Sequence, residues 1–496
     1  MSFGSEDQFA LYPLSNFDVS NIRSVFVTGW LVEGILDHQA LRIALTNVTH
    51  KWRMLAARLD SAMQEDKSLL WRLKIPLGPL PEDYPTFSLT TSTSDVPLSY
   101  YVSEPIPLVS PSLPPSLFIH SNTPRNSYQH VEKDHPLMSF HLTFFHSNND
   151  KTPPRTAIGF TRPHSVLDAY GASKVVTGII AELNGREWDV PPSLRPGYSP
   201  NELQDYLDAE EAKPEMASLL ERPLDLQPFA GYTDVGISGA FHALYYHVIK
   251  GVWWNEALRH IILLPKKALD YLVNGVRTEL ASEGIDTPRV STGDILVAWV
   301  YKTIYSTDTS LRKKTHVSSF SAFRDLLPAE PPSLRTHLHN TFITAPYPLF
   351  TVASIHSHSL ASLAHRMTSS RQLTPSAIKF AHVLSSSRAI RTGKVPGPYH
   401  PDADETLSVS NVSYSKMLDN DWGCISSIKD ANTLCGYRYV LTATKFPFVN
   451  VLFMSGTLPS DGSTVLDVYM TKERMGLLKA EVERVVRLAE IESAKA

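Results

Sequence analysis

A mixed α/β protein of two domains is what the sequence predicts, and three observations carry that reading. The chain has 496 residues, more than one ordinary hydrophobic core organises, which points to two domains of about 200 to 250 residues each. Strand-like and helix-like runs occur in both halves, without the strict alternation that builds a nucleotide-binding parallel sheet. Between the halves, from Val190 to about Asp234, prolines scatter and the run Asp208-Ala209-Glu210-Glu211-Ala212-Lys213-Pro214-Glu215 is highly charged, as in a crossover. The expected units are residues 1–195, a crossover at 196–235, and residues 236–496.

The first helix is expected behind Asp37, a suitable N-cap, because Leu41, Ala44, Leu45, Val48 and Trp52 then recur on one face. Residues 66–130 alternate short apolar pieces with proline-rich connectors such as Pro107 to Pro115, which predicts irregular strands and loops. Pro136 to Phe145 and Ala157 to Phe160 are apolar and aromatic, as strands are, and Ala172, Val175, Val176, Ile179, Ile180 and Leu183 then recur at helical spacing. In the second half, Phe241 to Val248 and His260 to Leu264 read as strands and Leu269 to Val276 as helix. Ser291-Thr292-Gly293-Asp294 opens a helix over Ile295 to Tyr305, residues 316–323 and 436–454 read as strands, and a terminal helix starts near Lys472.

Composition narrows the function. A net charge of -4 gives no general attraction to nucleic acid, and 43% hydrophobic residues support globular burial throughout. Two cysteines, Cys424 and Cys435, cannot build a disulfide framework or a cysteine-rich zinc site. The first thirty residues lack a positive start followed by an apolar core, and no apolar run approaches the roughly 20 residues that cross a bilayer. A soluble, cytoplasmic monomer is expected.

The chemistry centres on Thr161-Arg162-Pro163-His164-Ser165-Val166-Leu167-Asp168-Ala169-Tyr170-Gly171. The spacing His-x-x-x-Asp alone is weak: it occurs four times, from His130, His146, His164 and His400, where about one match is expected by chance. Only the His164 copy lies between a strand-like run and a long amphipathic helix, a junction from which a rigid scaffold presents a side chain to a cleft. His337-Leu338-His339 and His356-Ser357-His358 have metal-friendly spacing but no accompanying ligand set, so no metal is expected. Gly-x-Ser-x-Gly, Gly-x-Gly-x-x-Gly and Walker-type loops are absent.

Five stretches in this order resemble the BAHD acyltransferases and their fungal relatives among trichothecene- and alkaloid-modifying acetyltransferases. They are Leu41 to Leu59, the His164 segment, Ser291 to Trp299, Phe323-Arg324-Asp325-Leu326-Leu327-Pro328 followed by Asn340, and Asp419-Asn420-Asp421-Trp422-Gly423. The resemblance implies two chloramphenicol-acetyltransferase-like α/β domains with the active-site channel between them. It implies a general-base His164, acyl-CoA (acetyl-CoA by default) and a small hydroxylated secondary metabolite as substrates, and no permanently bound cofactor. Imidazole suits the task, since its ordinary pKa near 6.5 lets one residue take the hydroxyl proton and return it to the thiolate, with no covalent acyl-enzyme.

The same resemblance implies an Asp168–Arg324 pair of structural role. From its position alone, Asp168 either caps the helix or orients the imidazole. Asp419 or Asp421 would fill the family's loop-aspartate role, with Trp422 and Gly423 beside the coenzyme channel. Ser410 and Asn411 lie where relatives place an oxyanion-stabilising side chain, and Lys266 and Lys267 could meet coenzyme phosphates or be solvated surface charge. Two departures stand out: the glycine expected after Asp168 comes two positions late, at Gly171, and the loop keeps three of five residues. The rival readings are an N-acyltransferase or condensation-like enzyme, which would usually carry a second histidine where Pro163 stands, and a degenerate member that only binds a ligand.

Overall fold

A computed structural model describes residues 8–65, 68–146, 153–192, 196–215, 257–285, 290–345, 347–385, 400, 402–442 and 449–495, with residues 194, 233–234, 241, 245 and 396–397 between them. Of the strand expected over Phe241 to Val248 only Phe241 and Tyr245 are described, neither of them as strand, and the rest of it and much of the expected crossover lie outside the described residues.

A five-stranded sheet organises the first lobe. Its order is Thr433–Thr442, Ser24–Glu33, Arg155–Pro163, Ser139–Phe145 and Ser88–Thr93. Every residue of Arg155–Pro163 is buried, as a central strand covered on both faces must be. Gly29 lies opposite Gly159 in register, and a Cβ at Gly159 would stand 1.9 Å from the carbonyl oxygen of Phe118. The glycine pair thus lets the segment carrying Phe118 lie directly on the sheet. Helices His38–Lys51 and Ala169–Leu183 supply apolar faces to the same core, their N-caps being Asp37 and Asp168.

The second lobe is built on an eight-stranded sheet. Along its main path run Phe342–Thr344, Lys314–Ala322, Glu405–Asn411, Val451–Thr457, Thr464–Thr471, Ala257–Leu264 and Val109–Pro111. Helices Lys266–Ser282, Thr292–Ile304, Leu360–Ser370 and Lys472–Ser493 bury apolar faces in its core, with Ser291 and Thr471 as N-caps of the second and last. A third sheet of four strands joins Arg58–Met63, Leu69–Pro76, Phe9–Pro13 and Gly197–Tyr198. The expected charged crossover includes a helix, Glu202–Glu211, which buries Leu203 and Leu207 in a small third cluster.

Each lobe holds a strand from the other half of the sequence. Thr433–Thr442 pairs with Ser24–Glu33 in the first sheet, and Val109–Pro111 pairs with Ala257–Leu264 in the second. The lobes are therefore joined by ladders of backbone hydrogen bonds as well as by the chain.

Candidate active site

His164 stands where the two lobes meet. The strand Arg155–Pro163 ends one residue before it, and its backbone is held from both sides: its amide donates to the Ser24 carbonyl at 3.2 Å, and Asn340 Nδ2 donates to its carbonyl at 2.8 Å. Asn340 is fixed in turn by Asp18, whose Oδ1 accepts from the Asn340 amide at 3.0 Å and from Nδ2 at 2.8 Å. His339 Nδ1 meets the Val166 carbonyl at 2.5 Å, so the segment before Phe342 is fastened to the His164 loop at two points.

The imidazole sits between two phenylalanines. Phe26, from the first sheet, meets it edge-on with centroids 4.2 Å apart, and Phe342, from the second, stacks at 5.5 Å. His164 is half-buried. Its Nδ1 is enclosed and finds no hydrogen bond of good geometry. Burial, followed by the positive charges of Arg162 and Arg438, pushes its pKa down to about 3, so the ring is neutral near pH 7 and holds a proton only weakly.

Asp168 does two structural jobs. One carboxylate oxygen accepts from the Gly171 amide at 2.9 Å, capping Ala169–Leu183, and the other accepts from Arg324 Nη2 at 2.8 Å and Thr341 Oγ1 at 3.4 Å. Arg324 Nε donates to the His337 carbonyl at 2.9 Å, and the guanidinium lies 4.3 Å over the Tyr170 ring. The late glycine has a steric reason: a Cβ on Gly171 would lie 2.0 Å from the Leu338 carbonyl oxygen. Glycine is required where the helix start meets the 337–340 segment, and that contact falls at Gly171.

The other expected residues are dispersed. Trp422, expected beside a coenzyme channel, is instead a core residue: it is 0% exposed and meets Trp30 at 5.3 Å. A Cβ on Gly423 would meet the Ala431 carbonyl oxygen at 2.2 Å, so this loop is shaped by close backbone packing. Asp421 is exposed and caps the short turn Trp422–Ile425 by accepting from the Gly423 amide, and Asp419 is exposed. Lys266 and Lys267 are exposed at the start of Lys266–Ser282, and Lys266 pairs with Asp270 at 2.9 Å. Ser410 ends up beside Arg438, whose Nη1 donates to the Ser410 carbonyl at 3.2 Å, while Asn411 Oδ1 accepts from the Ser413 amide and hydroxyl at 3.0 and 2.7 Å.

The sequence reading passed over Phe26, Phe342, Arg162 and Arg438, which shape the surroundings of the imidazole. Among the described residues, Asp208, Glu211 and His382 are grouped closely enough to hold a metal ion. His382 Nε2 and Asp208 Oδ1, 3.0 Å apart, already satisfy one another as an ordinary hydrogen-bonded pair.

No family model matches the chain. The O-acyltransferase pboC of Aspergillus ustus is 29% identical over 218 residues, 44% of this chain and 41% of that protein. The match thus spans about two fifths of that relative's length. F. sporotrichioides TRI101, complexed with coenzyme A and T-2, superposes with a TM-score of 0.60 over 95% of this chain and 97% of that one, at 13% identity. Vinorine synthase gives 0.52 over 96% and 93%, also at 13% identity. The chain shares the fold of TRI101 and vinorine synthase. Within that fold the seam between the lobes is where Phe26 of one and Phe342 of the other close on His164. No helix among the described residues is long and apolar enough to cross a membrane.

Proposed function

We propose that the protein is an acyl-CoA-dependent O-acyltransferase, with acetyl-CoA the default donor, acting on a hydroxyl of a small secondary metabolite. The observation that carries the reading is the half-buried imidazole of His164 at the seam of the lobes, held between Phe26 of one and Phe342 of the other. A neutral alcohol is a poor nucleophile, so attack on a thioester needs the hydroxyl proton removed as the C–O bond forms. His164 takes that proton, the carbonyl becomes a tetrahedral oxyanion, and collapse expels the thiolate, which receives the proton from the imidazolium. The acyl group passes directly from sulfur to oxygen, and the imidazole returns to its starting state.

Asp168 belongs to the scaffold in this reading. Both of its oxygens are committed to the helix cap and to Arg324. The names of the sequence relative and of TRI101's ligands support the same donor and acceptor classes. We place the enzyme in the cytoplasm as a monomer of two units, residues 1–195 and 236–496 with a crossover between them. Ser410 and Asn411 are its oxyanion candidates, and the coenzyme's phosphates face Lys266 and Lys267.

The test is acetyl-CoA incubated with hydroxylated terpenoids and alkaloids, following free thiol by a chromogenic disulfide. Acceptor-dependent thiol release that disappears in His164→Ala supports the reading. Tight acceptor binding by calorimetry with no thiol release would favour the ligand-binding alternative, and acylated amine product would favour N-acylation.

A further inference from the structure

Beside His164 the first sheet carries two arginines whose guanidiniums have no ion pair among the described residues; Asp168 and Asp467 act on them only from a distance. Phe26 lies opposite Arg162, and Thr28 lies opposite Arg438. Residues two apart on a strand share a face, so both guanidiniums rise on the same side of Ser24–Glu33, one from each neighbouring strand. Arg162 is 4% exposed and Arg438 6%. Arg162 Nη1 donates to Thr28 Oγ1 at 3.2 Å, but its Nε is buried with no partner. Arg438 has only neutral acceptors for its guanidinium, the Ser410 carbonyl at 3.2 Å and hydroxyl at 3.4 Å, and lies 5.5 and 5.1 Å over the Phe26 and Phe453 rings.

The nearby carboxylates are already used. Asp467 binds Arg259 through both oxygens, at 3.0 and 2.6 Å, and offers Arg438 only a 3.4 Å contact to its backbone amide. Asp168 is held by Arg324 and the helix cap. Both arginines line one narrow recess together with Thr28, Ala169, Tyr437 and Ser455. The Ser455 hydroxyl is buried with no partner as well. Two buried cations without an ion pair and two buried polar atoms without a protein partner surround one recess, and an anion there would meet all four. The space is about that of one water molecule, so it takes in an oxygen of an anionic group and not the whole group.

We propose that this recess binds a carboxylate carried by the acceptor, so that the preferred substrates are hydroxy acids. The inference rests on the acyl-transfer reading for the word acceptor and deepens it. The bound carboxylate takes the free Arg162 Nε–H and the Arg438 guanidinium on its oxygens and accepts from Ser455. It also offsets the two positive charges that disfavour protonated His164, easing formation of the imidazolium during attack.

Two experiments decide it. Without any thioester, calorimetry with benzoate, cyclohexanecarboxylate and their amides should show carboxylate binding that is absent for the amides and lost in Arg438→Gln and Ser455→Ala. Because Arg438 is an unpaired buried cation, Arg438→Met should unfold at or above the wild-type denaturant midpoint, whereas a purely structural arginine would lower it. With acetyl-CoA, hydroxy acids should exceed their own methyl esters by about 10- to 100-fold in kcat/KM, and Arg438→Gln should erase that preference. Equal turnover of acids and esters, with no carboxylate binding, overturns the subsite and leaves acyl transfer standing. Thiol release from no acceptor at all sinks the acyl-transfer reading, while the thioester-free arm still decides on the carboxylate.

Discussion

Replacing Asp168 by asparagine removes one negative charge and almost nothing else. The amide oxygen can still accept from the Gly171 amide, so the cap of Ala169–Leu183 survives, but Arg324 loses the carboxylate it holds at 2.8 Å. Both residues are buried, at 2% and 7% exposure. Stranding one partner of such a pair costs about 3 to 5 kcal/mol. Arg324 keeps the His337 carbonyl and the Tyr170 ring, which places Asp168→Asn near the lower end, about 3 kcal/mol. Asp168→Ala also loses the cap, adding about 1 kcal/mol. The double variant Asp168→Asn with Arg324→Met removes both charges, and its loss should be well below the sum of the single losses. The assay is urea unfolding at pH 7 for wild type, both singles and the double, with activity measured well below the lowest midpoint. If Asp168→Asn unfolded at the wild-type midpoint yet lost turnover, the carboxylate would be acting on the imidazole or the substrate, and the structural assignment would be refuted.

His164→Ala should lower kcat by about 100- to 10,000-fold with an unchanged circular dichroism spectrum; turnover within tenfold of wild type would remove the histidine from the mechanism. Gly171→Ala drives a methyl group into the Leu338 carbonyl and should cost about 1 to 3 kcal/mol by denaturant unfolding, and a neutral result would mean that the 337–340 segment yields easily. Burial holds His130, His141 and His316 down to a pKa of about 4, and His164 lies at about 3. Each binds its proton less readily folded than unfolded, so their contribution is fully present above about pH 6.5 and declines as pH falls towards 4, by up to about 1.4 kcal/mol per pH unit for each histidine. A urea midpoint that failed to drop between pH 6.5 and 5 would contradict this.

Local signals proved the most legible. Asp37, Ser291 and Asp168 were readable as caps because a capping side chain and the apolar stripe behind it are separated by only a few residues. The exchange of strands was not readable, because Thr433–Thr442 reads as a strand whichever sheet receives it, and its partner is chosen by complementarity hundreds of residues away. Trp422 illustrates the same limit: the resemblance of its loop placed it beside a coenzyme channel, while Trp30, against which it is buried, lies far off in the sequence. For Arg162 a signal did exist. Ile158, Phe160 and Arg162 alternate onto one face of a strand too apolar to be an edge, so a cation was bound to be buried there. What could not be read was that Arg438 would arrive on the same face from the other side.

The strand exchange also explains why one imidazole can be positioned by residues more than 150 positions apart. His164 receives its backbone bonds from Ser24 in one lobe and Asn340 in the other, and its ring contacts from Phe26 and Phe342 in the same division. Two lobes joined by a flexible linker alone could rock and misplace such a group by an ångström or more, enough to spoil proton transfer. Here Thr433–Thr442 lies in the first sheet along nearly its whole length, while Arg438 in its middle reaches Ser410 in the second. The same strand that joins the lobes thus adds its charge, after burial and Arg162, to what keeps His164 unprotonated. Scaffold rigidity and part of the electrostatics of the candidate base meet in this way in one element.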